Sequence, residues 1–242
     1  MTWSRRFYAF ALALPLLAGC GNDFGSSNPT NDAALRVING SPDVSSMDFF
    51  IENTQFAQHV GYPGSVPYSK LTAATRNISA RETGSDLPLA SVSQEFAANT
   101  SYTIAAVGLS GARELIVVAD DDTPAAAGSF KLRVVRLTPV GPAMDFYVTA
   151  PNADLATATP TFAGIAYKEV RGYITLPTGP GRIRVTESGD PTKILVDSQS
   201  LTFVDNQIST VFIVGVPGQI GVPGSGGGAP YSGVFLGDGA LH

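Results

Sequence analysis

Short apolar runs recur along this chain in two patterns, and neither has the period of a helix. In "MDFFI" (47–51) and "MDFYV" (144–148), Met, Phe and Ile or Val fall on one face, and Asp and an aromatic residue on the other. "RIRVTE" (182–187) likewise alternates arginine with Ile and Val. In "YTIAAVG" (102–108) and "STVFIVG" (209–215) the apolar residues continue without alternation, the pattern of a central strand buried on both faces. Turn-forming clusters separate such runs: "SPD" at 41–43, "PTGPG" at 177–181, "SGDP" at 188–191 and "VDN" at 204–206. About seven short strands per hundred residues predict an all-β chain of sandwich type, immunoglobulin-like or transthyretin-like.

The pattern is also duplicated. "LRVINGSPDVSSMDFFI" from Leu35 aligns without a gap on "LRVVRLTPVGPAMDFYV" from Leu132. Farther on, Tyr62, Tyr68, Leu71, Ile78, Glu82 and Gly84 correspond to Tyr167, Tyr173, Leu176, Ile183, Glu187 and Gly189. A repeat of roughly 100 residues is too long for a solenoid unit and suits two tandem globular domains. We place the first at 34–123, a linker at 124–130 and the second at 131–242. The second copy is longer by an insertion within "APNADLATATPTFAG" (150–164), where a loop is expected.

The N-terminus has a different character. Arg5 and Arg6 precede an apolar run from Phe7 to Leu17, the layout of a signal peptide and too short to span a bilayer as a helix. The run closes in Leu17-Ala18-Gly19-Cys20, which resembles the bacterial lipobox. That resemblance implies cleavage after residue 19 and acylation of Cys20. The chain has a single cysteine, so Cys20 has no disulfide partner to explain it. Residues 20–33, rich in Gly, Ser, Asn and Asp, read as a lipidated cysteine and a flexible tether. The expected location is the cell envelope, anchored to a membrane through Cys20. In a host with two membranes, Gly21 after the cysteine resembles outer-membrane sorting, in a periplasm-facing or outer-membrane position.

"RVINGSPDVSSMDFFI", "ANTSYTIAAVG" and "VADDDTPAAAGSFKLRVVRLTP" together resemble the DUF4397 family, a bacterial envelope domain of unknown function. The resemblance implies two tandem copies behind a lipobox and carries no catalytic residues. The Ser41-Pro42-Asp43 turn fits the family pattern, whereas Thr138-Pro139-Val140 departs from it.

Composition narrows the function classes. A formal net charge of −5, lower still once Arg5 and Arg6 are cleaved away, argues against nucleic acid as a partner. His59 and His242 are the only histidines, and no nucleophile, metal-protease or P-loop motif is present, so an enzyme is not expected. Asp120, Asp121 and Asp122 form the one candidate metal cluster, suited to weak calcium binding, with a solvated linker as the simpler reading. Asp48 and Asp145 recur at one position and are candidate shared surface positions, with an outward strand residue pairing across the sheet with Arg36 or Arg133 as the simpler reading. Tyr68 and Tyr173 recur likewise and are candidate shared surface positions, on a glycan or protein groove or as amphipathic packing residues. The glycine- and proline-rich segment 216–233 reads as a long loop before the last strand. The resulting expectation is a non-catalytic binding or structural module whose partner is an envelope protein or glycan. The alternative is a calcium- or glycan-binding adhesion protein.

Overall fold

A computed structural model describes residues 31–217 and 231–238. Cys20, residues 1–19, most of the tether, residues 218–230 of the predicted loop and His242 lie outside the described residues. In chain order the first half runs β1 (Asp32–Asn39), β2 (Ser46–Ile51), β3 (Thr54–Gly61), β4 (Gly64–Ser65), β5 (Ser69–Thr72), β6 (Thr75–Glu82), β7 (Pro88–Glu95), β8 (Ser101–Val107) and β9 (Glu114–Asp120). The second runs β10 (Ser129–Arg136), β11 (Met144–Thr149), β12 (Phe162–Ile165), β13 (Ile174–Pro177), β14 (Gly179–Glu187), β15 (Asp190–Phe203), β16 (Ile208–Gly215) and β17 (Tyr231–Gly237). No helix among the described residues is long and apolar enough to cross a membrane.

Each half is a sandwich of two sheets, as the alternating strands predict. In the first, β3-β2-β6-β7 packs on β4-β1-β8-β9, with β5 also paired to β1. In the second, β12-β11-β14-β15 packs on β13-β10-β16-β17. The sheets are not wholly antiparallel: β1 lies parallel to β8, and β10 to β16. Leu35, Val37, Met47, Phe49, Ile78 and Ile104 belong to the first core, and Leu132, Val134, Met144, Phe146, Ile183 and Val211 to the second.

A third core explains the continuous apolar runs. Ile38, Ala105 and Val107 of the first half pack with Val135, Leu137, Phe212 and Val214 of the second. The sheets containing β1 and β10 therefore lie back to back, and β8 and β16 are buried along their whole length. The order of layers is outer sheet, inner sheet, inner sheet, outer sheet. Gly40 sits where the halves approach closely: a Cβ there would meet Leu137 Cδ1 at 2.8 Å and the Ala106 carbonyl oxygen at 2.9 Å.

Candidate functional site

The back-to-back sheets bury charge as well as hydrocarbon. On β1, Leu35 and Val37 enter the first core, so strand alternation aims Arg36 at the other half. On β10, Arg133 is aimed the same way between Leu132 and Val134. Arg36 is 3 % exposed and Arg133 2 %. A buried guanidinium needs a counter-charge and partners for its N–H groups.

Each half supplies them to the other. Arg133 Nη2 pairs with Asp120, and Arg36 Nη2 with Asp238. Arg133 Nη1 donates to the Ala119 carbonyl at 2.8 Å, and Arg36 Nη1 to the Gly237 carbonyl at 2.7 Å. Each Nε donates to a threonine of its own half, Arg36 to Thr103 and Arg133 to Thr210, both at 2.7 Å. Those threonines in turn donate to the aspartate of their own half, Thr103 to Asp120 at 2.7 Å and Thr210 to Asp238 at 2.6 Å. Tyr68 and Tyr173 complete the two sets, donating to Asp120 and Asp238 at 2.7 Å. Their rings lie against the guanidinium of their own half, at 4.6 Å for Arg36 on Tyr68 and 4.5 Å for Arg133 on Tyr173. The result is a reciprocal clamp, related by the internal repeat, with every aspartate oxygen accepting a bond.

The electrostatics suit holding rather than reacting. Burial pushes the Tyr68 and Tyr173 hydroxyls up from their ordinary pKa, and the neighbouring Asp120 and Asp238 charges add to the shift. Both remain protonated donors at neutral pH. Burial also raises Asp120, against the lowering pull of Arg133 and Arg36. At the rim, the Tyr62 hydroxyl donates to the Gly215 carbonyl across the interface, and Lys168 pairs with Glu114 at 2.9 Å.

This geometry corrects several expectations. Asp48 and Asp145 are buried and do not pair with Arg36 and Arg133. Each instead serves a register shift in its own outer sheet, between Met47 and Phe49 and between Met144 and Phe146. Asp48 accepts from the His59 backbone N–H at 2.7 Å and the Thr83 hydroxyl at 3.0 Å. Asp145 accepts from the Gly164 and Gly189 backbone N–H groups at 2.7 and 2.9 Å. A bulge frees backbone donors that a neighbouring carboxylate can satisfy. Tyr68 and Tyr173 are part of the clamp rather than of a surface groove. Asp120, Asp121 and Asp122 diverge: Asp120 faces Arg133, Asp121 pairs with Lys131 at 2.7 Å, and Asp122 accepts from Ser101 at 2.6 Å. Among the described residues no group of three or more His, Cys, Asp or Glu could hold a metal ion.

Asp238 is the partner that the sequence marks least, because it follows the last strand in a stretch unlike the one around Asp120. The available signal is Ile38 and Val135, the apolar residues two positions after Arg36 and Arg133, which share the arginines' face of each strand. Arg136 was missed as well. It aligns with Asn39 and is 1 % exposed, with five N–H groups donating to the carbonyls of Thr138, Val140, Gly141, Pro142 and Ile165. Asn39 does a smaller version of this work, donating to Val44 and Val60.

Residues 33–147 match the family described as a domain of unknown function, DUF4397. No curated protein sequence matches the chain. Among solved structures, similarity extends to a protein described under "Alpha-glucan binding by a streptococcal virulence factor". It has 10 % identity and a TM-score of 0.25, over 74 % of this chain and 92 % of that one. The family CBM26 module CBMbc from Eubacterium rectale, solved in complex with maltoheptaose, has 11 % identity and a TM-score of 0.22, over 77 % and 93 %.

Proposed function

We propose that this DUF4397-containing chain is a lipid-anchored, non-catalytic binding or structural module of the bacterial cell envelope. In this reading it presents two β-sandwiches as one body. The observation that carries the proposal is the reciprocal clamp. The recurring charged and aromatic residues on the inner sheets are consumed in joining the halves, which leaves the outer sheets and end loops as the surfaces for contact. The anchor follows from the lipobox-like Leu17–Cys20 and the lone thiol. Two acyl chains on Cys20 would hold the body stably, at about 0.8 kcal/mol per buried methylene. Calcium gains no support from the geometry, since Asp120 and Asp121 already have cationic partners.

The test is cross-linking of the full-length protein in living cells, followed by mass spectrometry, with Cys20→Ala as the control. The native protein should fractionate with membranes and capture a recurrent envelope partner, and Cys20→Ala should be released in soluble form. A Cys20→Ala protein that stays with the membrane removes the anchor from this reading.

A further inference from the structure

The outer sheets of the two halves differ in the connection between their first two strands. In the first, β2 and β3 are joined by two residues, Glu52 and Asn53. In the second, β11 and β12 are joined by residues 150–161, which return across the outer face of their own sheet. Arg184 Nη2 donates to the Ala153 carbonyl at 2.8 Å and Arg182 Nη1 to the Pro151 carbonyl at 3.3 Å. Thr161 Oγ1 accepts from the Val148 backbone N–H at 2.9 Å. Tyr147 is 3 % exposed and Leu155 5 %, although neither belongs to a sandwich core.

The equivalent face of the first half has no such cover among the described residues. Phe50, aligned with Tyr147, is only half-buried, and one side of its ring is met by Arg81 at 4.0 Å. Arg81 Nε has no hydrogen-bond partner there. Ser79 lies beside Phe50 in register, and Ser91 and Ser93 continue the face, exposed.

The chain contains a second version of the covering segment. "NADLATATPT" at 152–161 is matched by "NDFGSSNPT" at 22–30, with one residue skipped after the asparagine. Asp154, Leu155, Ala156, Pro160 and Thr161 then correspond to Asp23, Phe24, Gly25, Pro29 and Thr30, and the residues between are small or polar in both. The segment also enters the fold at a suitable place. The Asn31 carbonyl accepts from Ala73 at 2.9 Å, just before β6 begins at Thr75 in the outer sheet. Phe50 lies opposite Ser79, roughly 13 Å along that strand. From Thr30 back to Phe24 an extended chain reaches roughly 20 Å.

We propose that Asn22–Thr30 docks across the outer face of the first sandwich as residues 152–161 cover the second, with Phe24 seated beside Phe50. The proposal goes beyond the anchored-module reading and does not depend on lipidation. Its consequence for an anchored chain is that Cys20, two residues before the docked segment, holds this outer face toward the bilayer.

Disulfide trapping tests it in the otherwise full-length Cys20→Ser protein, which has no other thiol. Phe24→Cys is combined with Ser79→Cys or, on the neighbouring strand, Ser91→Cys. The control combines Phe24→Cys with Ser200→Cys, exposed on the outer sheet of the second half. Docking should make the intramolecular disulfide of either first-half pair form at least about tenfold faster than the control, as a raised effective concentration requires. Phe50→Ala should slow it. Equal rates for all pairs, or first-half pairs yielding only cross-linked dimers, would overturn the proposal. Because the anchor is absent throughout, neither result bears on the role of Cys20.

Discussion

Arg36 and Arg133 show what a single buried side chain demands of its surroundings. Each has all its donor nitrogens directed at carbonyl, hydroxyl or carboxylate oxygen, and part of that set comes from the opposite half. Removing either aspartate would leave a guanidinium buried without its counter-charge, a change that typically costs about 3–5 kcal/mol. The tyrosines offer a finer probe. Burial, with the adjacent carboxylates, raises Tyr68 and Tyr173 in the folded protein. Their contribution is therefore complete below the unfolded tyrosine pKa of about 10 and is lost as pH rises through the folded values. Urea denaturation between about pH 8 and pH 11 should show stability falling above pH 10. Tyr68→Phe and Tyr173→Phe should each fall less steeply, and slopes equal to the parent's would dismiss this linkage. At this scale the sequence was least legible. The recurrence of Asp48 and Asp145 was visible, but apart from the Thr83 hydroxyl beside Asp48 the partners described above are backbone N–H groups at a bulge or turn, which no side-chain pattern announces. The recurrence of Arg36 and Arg133 was visible too, but Asp120 and Asp238 lie in stretches with little resemblance to each other.

At the scale of elements, local pattern carried more of the answer. Alternation in "MDFFI" and "MDFYV" matches outer-sheet strands with one face in a core, and the unbroken runs at 102–108 and 209–215 match strands buried on both sides. The parallel pairing of β1 with β8 was not legible, because it joins residues far apart in sequence and leaves no local mark. Nor was the work of the insertion at 150–161. It reads as an ordinary loop by composition, yet it buries Leu155 and Tyr147 on a face that a lone sheet would leave wet. Leu155→Ala should cost about 2–5 kcal/mol in chemical denaturation if that contact resembles a core position. A loss below about 0.5 kcal/mol, the level of an ordinary surface change, would show the loop to be dispensable.

For the whole molecule, tandem repetition suggested two tandem domains, and the structure joins the two sandwiches by the apolar contacts around Phe212 and the paired clamps. Such coupling should make the body unfold in a single calorimetric transition, with equal calorimetric and van't Hoff enthalpies. Phe212→Ala combined with Asp120→Asn should separate it into two. Two transitions in the parent protein would mean that the interface contributes little to cooperativity. The clamp also bears on how duplicated halves drift apart. Two identical chains meeting through this surface would part on dilution, and each change in one would appear in both. Here Asp121 to Gly128 tie the halves covalently, so their encounter no longer depends on concentration. Each half is then free to acquire its own peculiarities, as Arg136 replaces Asn39 and a long β11–β12 connection replaces a tight turn. The clamp residues lack that freedom: a charge lost on one side strands its counterpart on the other, so the two halves are bound to a shared history at those positions.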